Sequence, residues 1–226
     1  MGLNASKVEG NKSKKSFVEQ PELENGNYPA RLVQVIDLGL QPQKPFKGEE
    51  KPPVHQIMLT YELVDEFMVD EEGNPLEDKP RWVSEQFPLY SLEAERATST
   101  KRYNAFDPEH VYEGDFSQCV EAPVMLTLVI NAKGERVYVN IGGAAKMRGR
   151  DAEKTPALKN PPKVFDLTDP DLEIFGSLPE WLQEKIKSNL NFRGSLLEKR
   201  LSGEDVAEVA EVPNVDPDAE PDTPWD

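Results

Sequence analysis

Cysteine is almost absent from this sequence, since Cys119 is the only one in 226 residues. A single thiol cannot form an intramolecular disulfide, which excludes a disulfide-stabilised secreted domain and makes the reducing cytoplasm the expected compartment. Long apolar runs are missing too, and the N-terminus lacks the apolar core of a signal peptide. The sequence therefore predicts no membrane span and no membrane partner.

Histidine is scarce as well, with two residues. His55 and His110 are far apart and have no cysteine neighbours, so neither a zinc site nor a cofactor is predicted. A group of carboxylates precedes a predicted helix, where acidic side chains stabilise the helix N-terminus; its members are Asp166, Asp169, Asp171 and Glu173. Clustered carboxylates also suit a metal-dependent nuclease. We expect no catalytic residue and keep the nuclease as the weakest alternative.

Acidic charge is abundant but unevenly spread. The formal net charge is −16, yet residues 201–226 hold nine carboxylates and no Lys or Arg. The remaining chain is much less acidic than the total indicates. Because a local basic stripe is enough to bind nucleic acid, the overall charge does not exclude that ligand.

Composition divides the chain into four parts. Residues 1–26 are polar and carry Lys7, Lys12, Lys14 and Lys15, which predicts a flexible basic arm. Residues 27–150 form the predicted core, and residues 151–200 a linker followed by one C-terminal helix. Ser177 and Glu180 fit a capping box at the start of that helix. Residues 201–226 are an acidic, proline-punctuated tail that we expect to be disordered.

The predicted core reads as strands with one helical insert. Strands are expected at 27–38, 54–67 and 81–89, a helix from Ser91 to Arg102, and a β-hairpin within 121–141. On the second hairpin strand, alternation places Val137, Val139 and Ile141 on a core face and Arg136, Tyr138 and Asn140 on the opposite face. This order predicts a mainly β protein with an oligonucleotide-binding (OB) fold: a five-stranded barrel, a helical insert between strands 3 and 4, a C-terminal helix and disordered tails.

Single-stranded nucleic acid is bound by cations that contact phosphates and by exposed rings that stack on bases. The sequence offers both in predicted loops and strand edges: Lys44, Phe46, Lys47, Lys101, Arg102, Tyr103, Arg136, Tyr138, Lys146 and Arg148. Phe46 could instead pack on the core, and Trp82 is expected in the core. The stretch 142–150 lacks the Lys-Ser/Thr ending of a nucleotide-binding loop, so we interpret it as a flexible cationic loop.

Together with the strand order and the acidic tail, the opening Tyr28-Pro29-Ala30-Arg31-Leu32-Val33 resembles phage-type single-stranded DNA-binding proteins. The resemblance implies a protein that coats and protects single-stranded DNA during replication, recombination and repair in the cytoplasm of a bacterial host. It also implies that the tail recruits replication or recombination proteins. Asp222, Trp225 and Asp226 then bind the partner, because Trp225 and Asp226 stand where the family has an aromatic tip. The oligomeric state stays open, with a homodimer as one alternative.

A third interpretation starts from the overall acidity of the chain. A protein with a net charge of −16 could occupy the DNA site of a host protein by charge mimicry. The concentration of acid in one terminal segment argues against this alternative.

Overall fold

The computed structural model describes residues 18–134 and 136–204. The strands are β1 (Gly26–Gln41), β2 (Val54–Val69), β3 (Pro75–Pro88), β4 (Pro123–Lys133), β5 (Arg136–Lys146) and β6 (Lys163–Phe165). The helices are α1 (Thr98–Phe106), α2 (Gly149–Lys154), α3 (Leu172–Ser177), α4 (Glu180–Lys187) and α5 (Leu196–Ser202), with a 3-10 turn at Phe116–Cys119. The mainly β class predicted from the sequence is confirmed.

The strands form one sheet in the order β3-β2-β1-β4-β5, with antiparallel neighbours, and β6 adds to β1 in parallel. Within the described residues, β3 and β5 are not paired with each other, so the sheet is open. Register shifts interrupt β1 after Leu32 and after Asp37. Such irregularities bend a strand. They let the first part of β1 pair with β4 and the next part with β6.

Two hydrophobic cores use opposite faces of β1 and β2. Inward alternation on β2 supplies Ile57, Leu59 and Tyr61 to the larger core, which the insert between β3 and β4 completes with Phe116. The smaller core lies against Met58 and is built by the C-terminal segment, mainly Ile36, Leu38, Phe165, Phe175, Leu182 and Ile186. The second core explains why three short helices, rather than the single predicted one, follow the linker.

Two predicted helix starts are wrong for local reasons. The segment after Ser91 forms turns, since the Ser91 hydroxyl accepts a hydrogen bond from Glu93 N and its carbonyl accepts one from Ala94 N. Local bonds of this kind compete with a helix, so α1 begins only at Thr98. Ser177 is no cap for α4 either, because it ends α3 and its hydroxyl donates to the Ile174 carbonyl.

The predicted cationic loop at 142–150 is also wrong. Its first residues, Gly142 to Lys146, complete β5, and α2 begins at Gly149. Glycine and alanine suggested a loop, but here they let β5 lie close to its neighbours. A Cβ on Gly142 would lie 2.7 Å from a methyl group of Val129.

The last residues before β1 pack on the sheet, although the sequence predicted a flexible arm up to residue 26. The Gln20 side chain exchanges hydrogen bonds with the Val69 backbone, and Leu23 is buried, so residues 18–25 pack on the sheet. Residues 1–17 and the acidic tail from residue 205 onward lie outside the described residues. The predicted partner residues Asp222, Trp225 and Asp226 belong to that tail.

Candidate nucleic-acid interface

The hairpin of β4 and β5 extends past the end of β1. Pairing between β1 and β4 ends at Gly26 and Leu128, and beyond it the two hairpin strands pair only with each other in the described residues. Tyr138 lies on this extension opposite Asn131 and is 45% exposed. Arg136 is exposed two pairs nearer the tip, opposite Lys133. The hairpin thus presents a ring and a guanidinium to solvent.

The apolar face of the hairpin is covered only at its base. Leu128 is buried and its partner Ile141 is partly buried, as the alternation predicted. Val137 and Val139 share that face but are exposed, because the hairpin continues beyond the core. The prediction that these two valines face a core is therefore wrong at the tip.

A groove of about 370 Å³ runs between α1 and β5. Lys101, Asn104 and Ala105 line it from α1, and the small residues from Gly142 to Ala145 form its β5 side up to Lys146. Small side chains leave this space open between a helix and a strand. Lys101 and Lys146 are both exposed, and none of the described residues that line the groove is acidic. We call this the cationic groove.

Arg102 lies beside the cationic groove but is committed to the fold. The residue is 5% exposed, and its guanidinium donates to both carboxylate oxygens of Glu85 at 2.6 and 2.9 Å and to the Ile141 carbonyl at 2.9 Å. Tyr61 donates its hydroxyl to the same carboxylate. Burial, followed by the charge of Glu85, raises the pKa of Tyr61 and keeps it a donor. Arg102 therefore links β3 to β5 where the sheet is open, and its charge is already neutralised.

Tyr103 is also unavailable to a ligand. The side chain is fully buried, its ring packs edge-on against Phe116, and its hydroxyl donates to Asp107 at 2.8 Å while accepting from Gly114 N. Burial is the main cause that raises the pKa of Tyr103 to about 12. A base cannot stack on this ring in the folded protein.

The β1–β2 loop presents the other predicted ring. Phe46 is 57% exposed, so it is not packed on the core, and the ammonium groups of Lys51 and Lys47 lie 4.7 and 5.5 Å from its ring centroid. Lys44 is exposed in the same loop. The loop follows the C-terminal end of β1, whereas the hairpin tip lies beyond the N-terminal end of β1. The structure therefore places Phe46 and the lysines of the β1–β2 loop apart from the hairpin tip.

Trp82 is a candidate that the sequence prediction assigned to the core. It is 42% exposed on β3, and its indole N–H donates to Glu62 at 3.2 Å. Ser84 and Gln86, two and four residues later, are exposed on the same face. Because side chains alternate along a strand, these polar companions indicate an outward face for Trp82.

The linker that follows α2 covers the part of the sheet next to Trp82, on β2. Glu62 is buried, and its carboxylate accepts hydrogen bonds from the backbone N–H of Lys159 at 2.6 Å and from the Asn160 side chain at 2.7 Å. The Arg31 guanidinium holds the preceding linker residues by donating to the carbonyls of Thr155 and Pro156. Polar side chains thus fix the linker on β2 and leave the outer face of β3 open.

The carboxylates considered for a metal site have structural partners. Asp171 accepts hydrogen bonds from the N–H groups of Glu173 and Ile174 in the first turn of α3, and Asp166 accepts two from Thr168. Asp169 pairs with Arg200 at 2.8 Å. Asp171 thus caps α3, a helix that the sequence did not predict, whereas the predicted helix begins later, at Glu180.

Comparison of the chain with known protein families, curated proteins and solved structures finds no match. Within residues 18–134 and 136–204, no helix is long and apolar enough to cross a membrane. Of the predicted site residues, the structure brings Lys101, Lys146 and Arg148 to the end of β5 and places Arg136 and Tyr138 at its start.

Proposed function

We propose that this protein binds single-stranded DNA along β5. The observation that carries the proposal is the cationic groove, an acid-free space of about 370 Å³ with an exposed lysine on each side. The same strand leads from the groove to the exposed ring of Tyr138 and to Arg136. Cations that follow the backbone and rings that stack on bases are what a single strand requires.

The fold is proposed to be an OB-type fold. The strand order and the helix between β3 and β4 support this topology. In a closed OB barrel the first and last members of this sheet would pair. Here Arg102 links them through Glu85 and the Ile141 carbonyl, which supports a barrel joined by side chains at that seam.

The roles of the site residues follow from their exposure. We assign phosphate contacts to Lys101, Lys146, Arg148 and Arg136. Base stacking is assigned to Tyr138, and Phe46 and Trp82 extend the surface on the loop and on β3. Lys44 and Lys47 supply cations beside Phe46. Arg102 and Tyr103 are left out because the fold already uses them.

The biological role that fits this activity is to coat and protect single-stranded DNA during phage replication, recombination and repair. The nine carboxylates of the terminal segment, together with Trp225, would recruit partner proteins and compete with DNA for the cationic groove. A tethered polyanion acts at high effective concentration, so this competition should be strongest at low salt.

Fluorescence anisotropy with labelled oligo-dT and a duplex of equal length tests the proposal. We expect tighter binding to oligo-dT and an affinity that falls steeply with salt, because bound counterions are released. Equal affinity for the duplex, or no binding at low salt, would contradict the proposal. Added Mg²⁺ should leave the oligonucleotide intact, and cleavage products would point to a nuclease instead.

A further inference from the structure

A second groove lies at the N-terminal end of β2. It consists of two adjoining clefts of about 250 and 600 Å³, and the shared residues Leu89, Gly114 and Phe116 form part of its floor. Further apolar surface comes from Ile57 in one cleft and from Leu92 in the other. Apolar side chains thus line both clefts.

The rim of this groove is acidic. Five carboxylates line it, namely Asp37, Glu93, Glu113, Asp115 and Asp166, and the lining contains no Lys or Arg among the described residues. Asp37 is paired with the imidazole of His55 at 2.7 Å, whereas Glu93 and Glu113 are exposed and have no side-chain partner in the described part of the chain. We call it the acidic groove. An apolar floor beneath free carboxylates suits a peptide with cations and an apolar side chain.

The chain itself contains such a peptide outside the described residues. Residues 1–17 hold four lysines against one glutamate, and Lys12, Lys14 and Lys15 are followed closely by Phe17. This composition is complementary to the acidic groove in both charge and apolar character. Charge complementarity of this kind steers and orients association.

Chain length decides which copy can supply the peptide. Gln20 is fixed at Val69, the C-terminal end of β2, while His55 marks the groove near the N-terminal end of that strand. The register shift between Glu62 and Phe67 removes three residues from the paired length of β2, so the strand rises at most about 36 Å from His55 to Val69. Lys12 lies six residues before Val18 and reaches at most about 22 Å from it. Lys12 therefore reaches less than two thirds of the way along the strand to its own groove.

We propose that the basic N-terminal segment of one copy docks in the acidic groove of the next copy. The two ends of β2 carry the two halves of this contact, so the association is head-to-tail and can repeat along a row of copies. It needs no DNA and therefore does not depend on the proposed DNA-binding function. On a single strand it would favour neighbouring copies over isolated ones.

Charge reversal in the full-length chain, without DNA, tests the contact. One variant carries Lys12→Glu, Lys14→Glu and Lys15→Glu, and the other carries Glu93→Lys and Glu113→Lys. We expect wild type to self-associate in sedimentation velocity as its concentration rises. Each variant alone should show an association at least about tenfold weaker, because like charges now face each other. An equimolar mixture of the two variants should restore association.

A matched control carries Glu153→Lys and Glu184→Lys, two exposed carboxylates on α2 and α4 that reverse the same number of charges away from the groove. This control should associate like wild type. A control that weakens as much as the groove variant, or a mixture that stays dissociated, would overturn the proposal.

Mixed-isotope cross-linking identifies which copy supplies the segment. Equal amounts of ¹⁴N- and ¹⁵N-labelled protein are treated with a zero-length carbodiimide, which joins lysine amines to carboxylates, and the peptides are read by mass spectrometry. We expect links from Lys12, Lys14 or Lys15 to Glu93 or Glu113 that combine the two isotopes. Links within single copies only, or no links to the groove, would overturn the proposal.

Discussion

The two grooves differ in charge although one insert contributes to both. The segment between β3 and β4 gives Lys101 and Asn104 to the cationic groove, whereas Glu93, Ser99 and Glu113 from the same insert line the acidic groove. The net charge of −16 describes neither surface. Local placement of a few side chains, rather than total charge, decides what each face of this protein can bind.

The largest effect is expected from breaking the wall of the cationic groove. Arg102→Ala leaves the Glu85 carboxylate, whose side chain is only 14% exposed, without its cation, and removing one partner of a largely buried pair costs up to about 3–5 kcal/mol. Urea unfolding should show this loss in the free energy of unfolding. Lys101→Ala, at the adjacent exposed position, should change stability by no more than about 0.5 kcal/mol. A similar small change for Arg102→Ala would show that the link between β3 and β5 is not structural.

The next prediction compares two exposed tyrosines, one on the hairpin and one in the acidic groove. Tyr138 and Tyr90 are exposed to similar extents, at 45% and 47%, but Tyr90 lines the acidic groove. Tyr138→Ala should weaken oligo-dT binding by about 1–3 kcal/mol, because stacking on a base is lost. Tyr90→Ala should leave the affinity unchanged. Equal losses of oligo-dT affinity in the two variants, measured by anisotropy at one salt concentration, would contradict a DNA site that includes Tyr138 and excludes Tyr90.

A smaller effect concerns the lysines of the cationic groove. Each phosphate contact to a single strand contributes about 0.7 to the slope of log affinity against log salt. Lys101→Ala and Lys146→Ala should each reduce that slope by about this amount, and the double variant by about twice as much. Glu153→Gln should leave the slope as in wild type. Unchanged slopes in both lysine variants would mean that DNA phosphates do not contact Lys101 or Lys146.

The smallest effect belongs to His55 in the acidic groove. Its hydrogen bond to Asp37 is the main cause that raises the pKa of His55 above its usual 6.5. Protonated His55 therefore stabilises the fold below about pH 6.5, and this stabilisation is lost as the pH rises through the raised pKa. Because His55 is partly exposed, the contribution is at most about 1 kcal/mol.

Comparison of wild type with His55→Asn by urea unfolding should show a stability difference at pH 5.5 that disappears at pH 8.5. A difference that grows with pH would mean that the Asp37–His55 contact does not stabilise the charged imidazole.

Sequence periodicity predicted the strands well where one face is buried. Alternation located β2, because one side of a half-buried strand must be apolar. At the hairpin tip neither face is buried, so Tyr138 is exposed together with Val137 and Val139. The sequence prediction misjudged Trp82, whose size favoured the core although Ser84 and Gln86 share its face. It also could not show that Arg102 is paired with Glu85. That contact joins residues seventeen positions apart and depends on the way α1 packs across the open side of the sheet.

Photo-cross-linking of oligo-dT to the full-length protein tests the central claim most directly. If single-stranded DNA follows the cationic groove, mass spectrometry should find adducts on Tyr138 and on the peptides that contain Lys101 or Lys146. Peptides that line the acidic groove, including Tyr90, should stay unmodified. Adducts concentrated on the acidic groove, or no adducts under conditions in which anisotropy reports binding, would contradict the account.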